Sequence, residues 1–164
     1  LDIVSWSDTT GATYTTGNEH TGYFNRKYIP RKRSENAQND LNLTNPNNYR
    51  AIRYADVLLM AAEANNVGGI SDAKAQNYLN QVRSRAFGDE NHNITLTGEA
   101  LTEAIYHERR VELMGEGHRF FDLVRTNRAA DFIDGFVPGK NELFPVPFEE
   151  IQYSAGNWEQ NPNY

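Results

Sequence analysis

The stretch from Leu101 to Arg128, LTEAIYHERRVELMGEGHRFFDLVRTNR, mixes apolar and charged residues too densely for an ordinary solvated helix. Its apolar residues recur at steps of three and four, which predicts a helix, and Gly115-Glu116-Gly117 predicts a break before a second short helix. The same period places Glu108 and Glu112 on or beside the face to be buried. We therefore expect the rest of the chain to be organised around this stretch.

Buried carboxylates need partners, and arginine suits bidentate pairing with a carboxylate in a poorly solvated place. We therefore predict a structural ion-pair lock, with local arginines as the partners. Its predicted members are Glu108, Arg109, Arg110, Glu112, His118, Arg119, Asp122 and Arg125. The alternative is a charged active-site cleft, because catalytic and structural networks both perturb ionisation. If the lock leaves an arginine unpaired, Glu112→Ala should destabilise the protein by about 3–5 kcal/mol; a catalytic Glu112 would instead lose turnover without unfolding.

Two further helices are predicted upstream, from about residue 53 to 65 and from about 72 to 86. Gly68-Gly69 ends the first, and Ser71 is placed to cap the second. Helices joined by so short a loop pack antiparallel, and the small residues of the first allow close approach, as in tetratricopeptide-like hairpins. The predicted apolar stripe of the first helix is Tyr54, Val57, Leu58, Ala61 and Ala64. The fold class is therefore all-α: a tetratricopeptide-like hairpin packed on further helices, with loop-rich N- and C-terminal flanks.

Residues 1–48 show no helical period and are predicted to be loops with one short extended piece. We single out Trp6, Asp8 and Tyr14 as candidate ligand-binding residues. Aromatic rings beside polar side chains suit sugar recognition, because a ring stacks on the C–H face of a pyranose while polar groups take its hydroxyls. The alternative is that these aromatic residues anchor an irregular segment onto the helices.

Composition and motif searches exclude several classes of protein. The 164 residues carry a net charge of −6 with bases interleaved among acids, which argues against a nucleic-acid partner. There is no cysteine, no apolar run of membrane-spanning length, and no pair of histidines at the i, i+4 spacing of a zinc helix. A Gly-x-Ser-x-Gly elbow is also lacking. We therefore expect no cofactor and no catalytic residue.

The segment from residue 87 to 97 has the alternating Asp89, Asn91 and Asn93 of a calcium loop. Ile94 and Ala100 stand where such a loop requires glycine and glutamate, so neither the sharp turn nor the bidentate ligand is supplied. We expect no metal site there. The segment instead reads as a solvated loop that leads to Thr97 as the cap of the next helix.

Three sequence segments resemble the C-terminal part of the SusD/RagB family of outer-membrane nutrient-binding lipoproteins. They are ERRVEL, EGHR and FDLVRT, in that order and spacing. Three more segments are similar to that family's pattern: RYADVLLMAAEA at 53–64, YLNQVRSRA at 78–86, and GKNELFPVPFEE followed by QNPNY within 139–164. The resemblance covers roughly residues 49–164. It implies a SusD-like C-terminal helical domain over that range, preceded by the loop-rich segment 1–48.

The resemblance also implies a function. Such a protein would bind glycan at the cell surface and deliver it to a SusC-like TonB-dependent outer-membrane transporter, or, as an alternative, would capture peptide as RagB-like proteins do. A carboxylate-dependent glycoside hydrolase is a third hypothesis. Members of the family are longer than this chain, so we expect a fragment whose signal peptide and lipid anchor lie upstream. That anchor would be its only membrane contact, and the helices should expose an apolar side where upstream repeats dock.

Overall fold

The computed structural model describes residues 3–5, 23–25, 27 and 48–164, and this part of the chain is predominantly helical. Its helices are α1 (Tyr54–Val67), α2 (Asp72–Phe87), α3 (Gly98–Glu112), α4 (Arg119–Arg125), α5 (Ala129–Phe132) and α6 (Phe148–Tyr153). Two short strands, β1 (Ile3–Ser5) and β2 (Tyr23–Asn25), pair antiparallel with Val4 opposite Phe24. The all-α class is confirmed, and two strands stand where one extended piece was expected.

The chain divides into two compact units, Leu1–Gly115 and Glu116–Tyr164. The division falls within the predicted Gly115-Glu116-Gly117 break, where both glycines adopt positive φ of 76° and 85°. Glycine adopts such angles without strain, so the two glycines keep the chain out of helical geometry between the end of α3 at Glu112 and the start of α4 at Arg119. We call the two parts the N-terminal unit and the C-terminal unit. The expected domain boundary at residue 48 stays a prediction. The boundary between the two compact units falls after residue 115.

The hairpin of the N-terminal unit follows the predicted signals closely. Ser71 Oγ accepts a hydrogen bond from the Lys74 backbone N–H at 3.3 Å, which confirms the predicted cap of α2. Gly88 ends α2 in the left-handed region, and its N–H donates to the Ser84 carbonyl at 2.8 Å. Thr97 precedes α3 but makes no side-chain capping bond, so that expectation is wrong.

The core of the N-terminal unit lies between α1, α2 and α3. Its buried members are Leu58, Leu59, Ala62, Ala75, Leu79, Val82, Leu101 and Ile105. The predicted stripe of α1 needs correction, because Tyr54 and Val57 are 71% and 43% exposed while Leu59 and Ala62 are fully buried. Helix α1 carries apolar residues around most of its circumference, so periodicity alone does not select the buried face. The opposite side of α1 leaves Tyr54, Val57, Met60 and Val67 exposed.

A polar face of α2 holds the loop that connects it to α3. Gln76 Nε2 donates to the Leu96 carbonyl at 2.8 Å, and Arg83 Nε donates to the His92 carbonyl at 2.8 Å. Between them, Asn80 pairs with both backbone groups of Ile94, at 2.8 and 2.9 Å. The loop therefore runs back along α2, and its backbone groups take their partners from that helix.

A second polar junction joins the end of α1, the start of α2 and the start of α3. Asn66 is 7% exposed, and its amide donates to Asp72 Oδ1 at 2.7 Å and to the Gly98 carbonyl at 3.1 Å. Its oxygen accepts from Thr102 Oγ1 at 2.5 Å. Asp72 Oδ2 accepts from the Gly98 N–H at 2.7 Å. A side chain from α2, and not Thr97, therefore bonds a backbone N–H at the start of α3. The hydrogen bonds from Asn66 and Gly98 hold the pKa of the Asp72 carboxyl below its ordinary value of 3.8.

In the C-terminal unit, side chains of the last residues pair with the backbone of the segment before α6. Gln160 bonds both backbone groups of Val146, at 2.7 and 2.9 Å. Asn161 Nδ2 donates to the Phe144 carbonyl at 2.6 Å, and Tyr164 Oη donates to the Leu143 carbonyl at 2.9 Å. The segment 142–146 therefore finds its partners in side chains, and it forms no strand.

Acid should weaken the Asp72 junction. A carboxyl whose pKa is lowered by folding stabilises the folded state above its unfolded pKa, and this contribution is lost as the pH falls through the folded value. We expect Asp72→Asn to lower Tm at about pH 6, because a neutral amide oxygen accepts more weakly than a carboxylate, and we expect this deficit to shrink towards about pH 3. Thermal unfolding followed by circular dichroism at both pH values checks this, with the exposed Asp131→Asn as the matched control. A deficit that does not change with pH would contradict it.

Candidate functional site

A buried ion pair joins α1 and α3 in the N-terminal unit. Arg109 Nη1 donates to Asp56 Oδ1 at 2.8 Å, and the two side chains are only 5% and 7% exposed. At this burial water contributes little to either charge, so each relies on partners within the protein. The pair therefore fixes how α3 lies against α1.

Three further ion pairs extend from Glu108 and Glu112 of α3 towards α2 and the start of α1. Glu108 Oε2 accepts from Arg83 Nη1 at 2.5 Å. Glu112 Oε1 accepts from Arg53 Nη1 at 2.9 Å and from Arg85 Nη2 at 2.5 Å. Both glutamates are buried, at 5% and 7% exposure, whereas the Arg53 and Arg85 side chains are 24% and 60% exposed. These pairs become more hydrated from Asp56 towards Arg85.

The predicted lock residues fall into both units. Glu108, Arg109 and Glu112 lie in the N-terminal unit with the partners just described, and Arg110 is exposed. His118, Arg119, Asp122 and Arg125 belong to the C-terminal unit, where Arg125 Nη2 donates to Asp122 Oδ1 at 2.8 Å. The ion-pair partners of Glu108 and Glu112 are therefore not the local arginines that were expected. They are arginines at least 25 positions away in sequence.

Sequence reasoning missed Asp56, Arg53, Arg83 and Arg85. A signal existed for one of them, because Asp56 is a lone acid in the first turn of an otherwise apolar helix segment. The three arginines are exposed or half-buried, and nothing in their spacing indicated a partner on α3. The candidate ligand-binding residues Trp6, Asp8 and Tyr14 lie outside the described residues.

Beside these ion pairs, the N-terminal unit has an open cleft between the start of α1, the middle of α2 and the loop after α2. Its volume is about 700 Å³. The residues that supply its polar walls include Tyr54, Asn77, Asn80, Gln81, Arg85 and Glu90. Arg53 and Arg85 also line the cleft, and both are bound to Glu112. The cleft therefore combines one aromatic ring with several amides and with charges that are largely compensated.

In the part of the chain that the structure describes, no three histidine, aspartate or glutamate side chains come together in a way that would hold a metal ion. None of the helices described is both long enough and apolar enough to cross a membrane.

A helical hairpin bound to a third helix by buried ion pairs defines an all-α, tetratricopeptide-like domain. A sequence profile described as the SusD family matches residues 2–138. The chain belongs to the SusD family.

Solved structures and characterised sequences agree with this assignment. A structure titled "Laminarin binding SusD-like protein" is 41% identical, with a TM-score of 0.80 over 99% of this chain and 34% of its own. A SusD homolog from Bacteroides thetaiotaomicron is 32% identical, with a TM-score of 0.61 over 70% of this chain and 25% of its own. SusD-like protein P25 of Formosa agariphila is 33% identical over 78% of this chain and 26% of its own length. The chain thus spans about a quarter to a third of the length of these relatives.

The gradient of hydration along the ion pairs predicts unequal costs of mutation. Asp56→Ala leaves Arg109 buried without that carboxylate and should lower the free energy of unfolding by about 3–5 kcal/mol. Glu112→Ala leaves two arginines that water can reach, so we expect only about 1–3 kcal/mol, less than the sequence alone indicated. Urea unfolding measures both values, and the exposed Asp131→Ala serves as the control. Equal costs for the two variants would contradict this ranking.

Proposed function

We propose that this protein is the surface glycan-binding component of a nutrient uptake system, acting by binding and delivery and not by catalysis. The observation that carries the proposal is its similarity over 99% of the chain to a SusD-like protein titled as laminarin-binding. Laminarin is a neutral β-glucan, and neutral β-glucans are therefore the first ligand class to test.

The chemistry of the α3 carboxylates supports binding over hydrolysis. A glycosidase needs two carboxyl groups that face the substrate with a defined separation. Glu108 and Glu112 instead lie buried and accept hydrogen bonds from Arg83, Arg53 and Arg85. Their charges are used to join helices, which leaves ligand recognition to exposed aromatic and amide groups elsewhere.

We propose Trp6, Asp8 and Tyr14 as residues that recognise the glycan. The rings would stack on sugar C–H faces, and the Asp8 carboxylate would accept hydrogen bonds from hydroxyls. The partner that receives the glycan would be a SusC-like TonB-dependent transporter in the outer membrane. In the intact protein a lipid anchor would hold this domain at the cell surface, consistent with its family.

Fluorescence offers a direct test, because the chain contains only two tryptophans, Trp6 and Trp158. We expect laminarin to change the emission of Trp158→Phe, in which Trp6 alone reports, and to leave the emission of Trp6→Phe unchanged. Calorimetric titration of the same variants should show saturable binding that Trp6→Ala weakens by about tenfold or more, since losing a stacked ring costs on the order of 1–2 kcal/mol.

The matched control is Trp158→Ala, which removes a 56% exposed tryptophan near the C-terminus and should bind as the unmodified chain does. A panel of neutral glycans and short peptides is titrated in parallel. Saturable binding of peptides with no binding of any glycan would overturn the proposal in favour of peptide capture. Release of reducing sugar from laminarin would overturn the claim that the protein acts without catalysis.

A further inference from the structure

We infer that the cleft beside α1 and α2 is a sugar-binding subsite that takes a neutral sugar residue. This inference rests on the proposed function for its ligand class and adds a place on the protein that contacts the ligand. The residues that would make the contacts are Tyr54, Asn77 and Gln81, none of which belongs to the recognition residues proposed above. Arg85 borders them.

The cleft has the size and openness that a piece of a glycan requires. Its volume of about 700 Å³ falls within the range of roughly 300–1,000 Å³ that is usual for small-molecule sites. All of its described walls come from residues 53–93, within the N-terminal unit. It is open to one side, so a chain can enter with one sugar and continue beyond it.

An uncovered aromatic ring forms one wall. Tyr54 begins α1 and is 71% exposed, although the next turn of the same helix contributes Leu58 to the core. Exposing a ring of this size forgoes the stabilisation that its burial would bring. A tyrosine ring can stack on the C–H face of a pyranose while its hydroxyl bonds a sugar hydroxyl.

Two amides face the same space from α2. Asn77 and Gln81 are four residues apart and therefore lie on one side of the helix, and both are exposed. Within the described residues, their side chains make a single bond, from Gln81 Nε2 to the Asn77 carbonyl at 3.4 Å, which is long for a hydrogen bond. Each amide offers donors and an acceptor, which matches the hydroxyls of a sugar.

The neighbouring polar groups are already committed and make the walls rigid. Asn80 is bonded on both sides of its amide to the backbone of Ile94, at 2.8 and 2.9 Å. Ser84 Oγ donates to Asn93 Oδ1 at 3.0 Å. Because these bonds fix α2 against the loop before any ligand arrives, less conformational entropy is lost on binding.

The charge around the cleft favours a neutral ligand. Arg53 and Arg85 both bind Glu112, and Glu90 adds a further carboxylate to the wall. The two positive charges are therefore matched by two negative ones, and an acidic sugar gains no net attraction. A neutral sugar needs only hydrogen bonds and stacking, which the cleft supplies.

The experiment is a titration of the 164-residue chain with neutral laminarin oligosaccharides, followed by calorimetry and by the ¹⁵N side-chain amide signals of Asn77 and Gln81. We expect both amide signals to shift on saturation. Tyr54→Ala should weaken binding by about tenfold and the double variant N77A/Q81A by about five- to tenfold. Tyr153→Ala, which removes an 82% exposed tyrosine of α6, is the matched control and should bind unchanged.

The outcomes separate this inference from the proposed function. The unmodified chain could bind the oligosaccharide without a shift of the Asn77 and Gln81 signals, and Tyr54→Ala could bind it equally well. That result would contradict the subsite and leave the proposed function standing. If no glycan binds, both fail for this chain. Tighter binding of an oligouronate of the same length, with the same amide shifts, would overturn the assignment of a neutral ligand. Circular dichroism of each variant verifies that the exposed substitutions leave the fold intact.

Discussion

The buried ion pair between Asp56 and Arg109 is the constraint on which the N-terminal unit depends. The two side chains are only 7% and 5% exposed, so removing either would leave the other charge poorly solvated, and α3 presents Arg109 to α1 at this contact. That placement directs Ile105, one turn earlier, into the shared core and Glu108 towards α2. Hydrophobic packing holds the three helices together, and the ion pair adds a directional contact between α1 and α3.

Structure and recognition therefore use different polar groups. The carboxylates of Glu108 and Glu112 are saturated by arginines and serve the packing of helices. On α2, Gln76, Asn80 and Arg83 bind the loop that follows the helix. The amides of Asn77 and Gln81, on the same helix, line the cleft.

The elements that depend on local chemistry could be predicted from the sequence. Helical period, the Ser71 cap and the glycines at 115 and 117 located the hairpin, α3 and the break after it, because each signal acts over a few residues. The buried face of α1 differs from the expected one because that helix is apolar on most sides, and its buried side also carries Asp56 and Asn66. Asp56 pairs with Arg109, 53 residues away, and Asn66 reaches Gly98, 32 residues away; pairings at such distances leave no mark in spacing.

The loop after α2 has a consequence for how sequences of this type can vary. Its backbone is bonded at His92, Ile94 and Leu96, alternate positions that meet side chains spaced along one face of a helix. Inserting or deleting one residue would move every later carbonyl out of register with its donor on α2, and those hydrogen bonds would be lost. We therefore expect related sequences to keep the length of this loop constant, although insertions in surface loops are ordinarily tolerated.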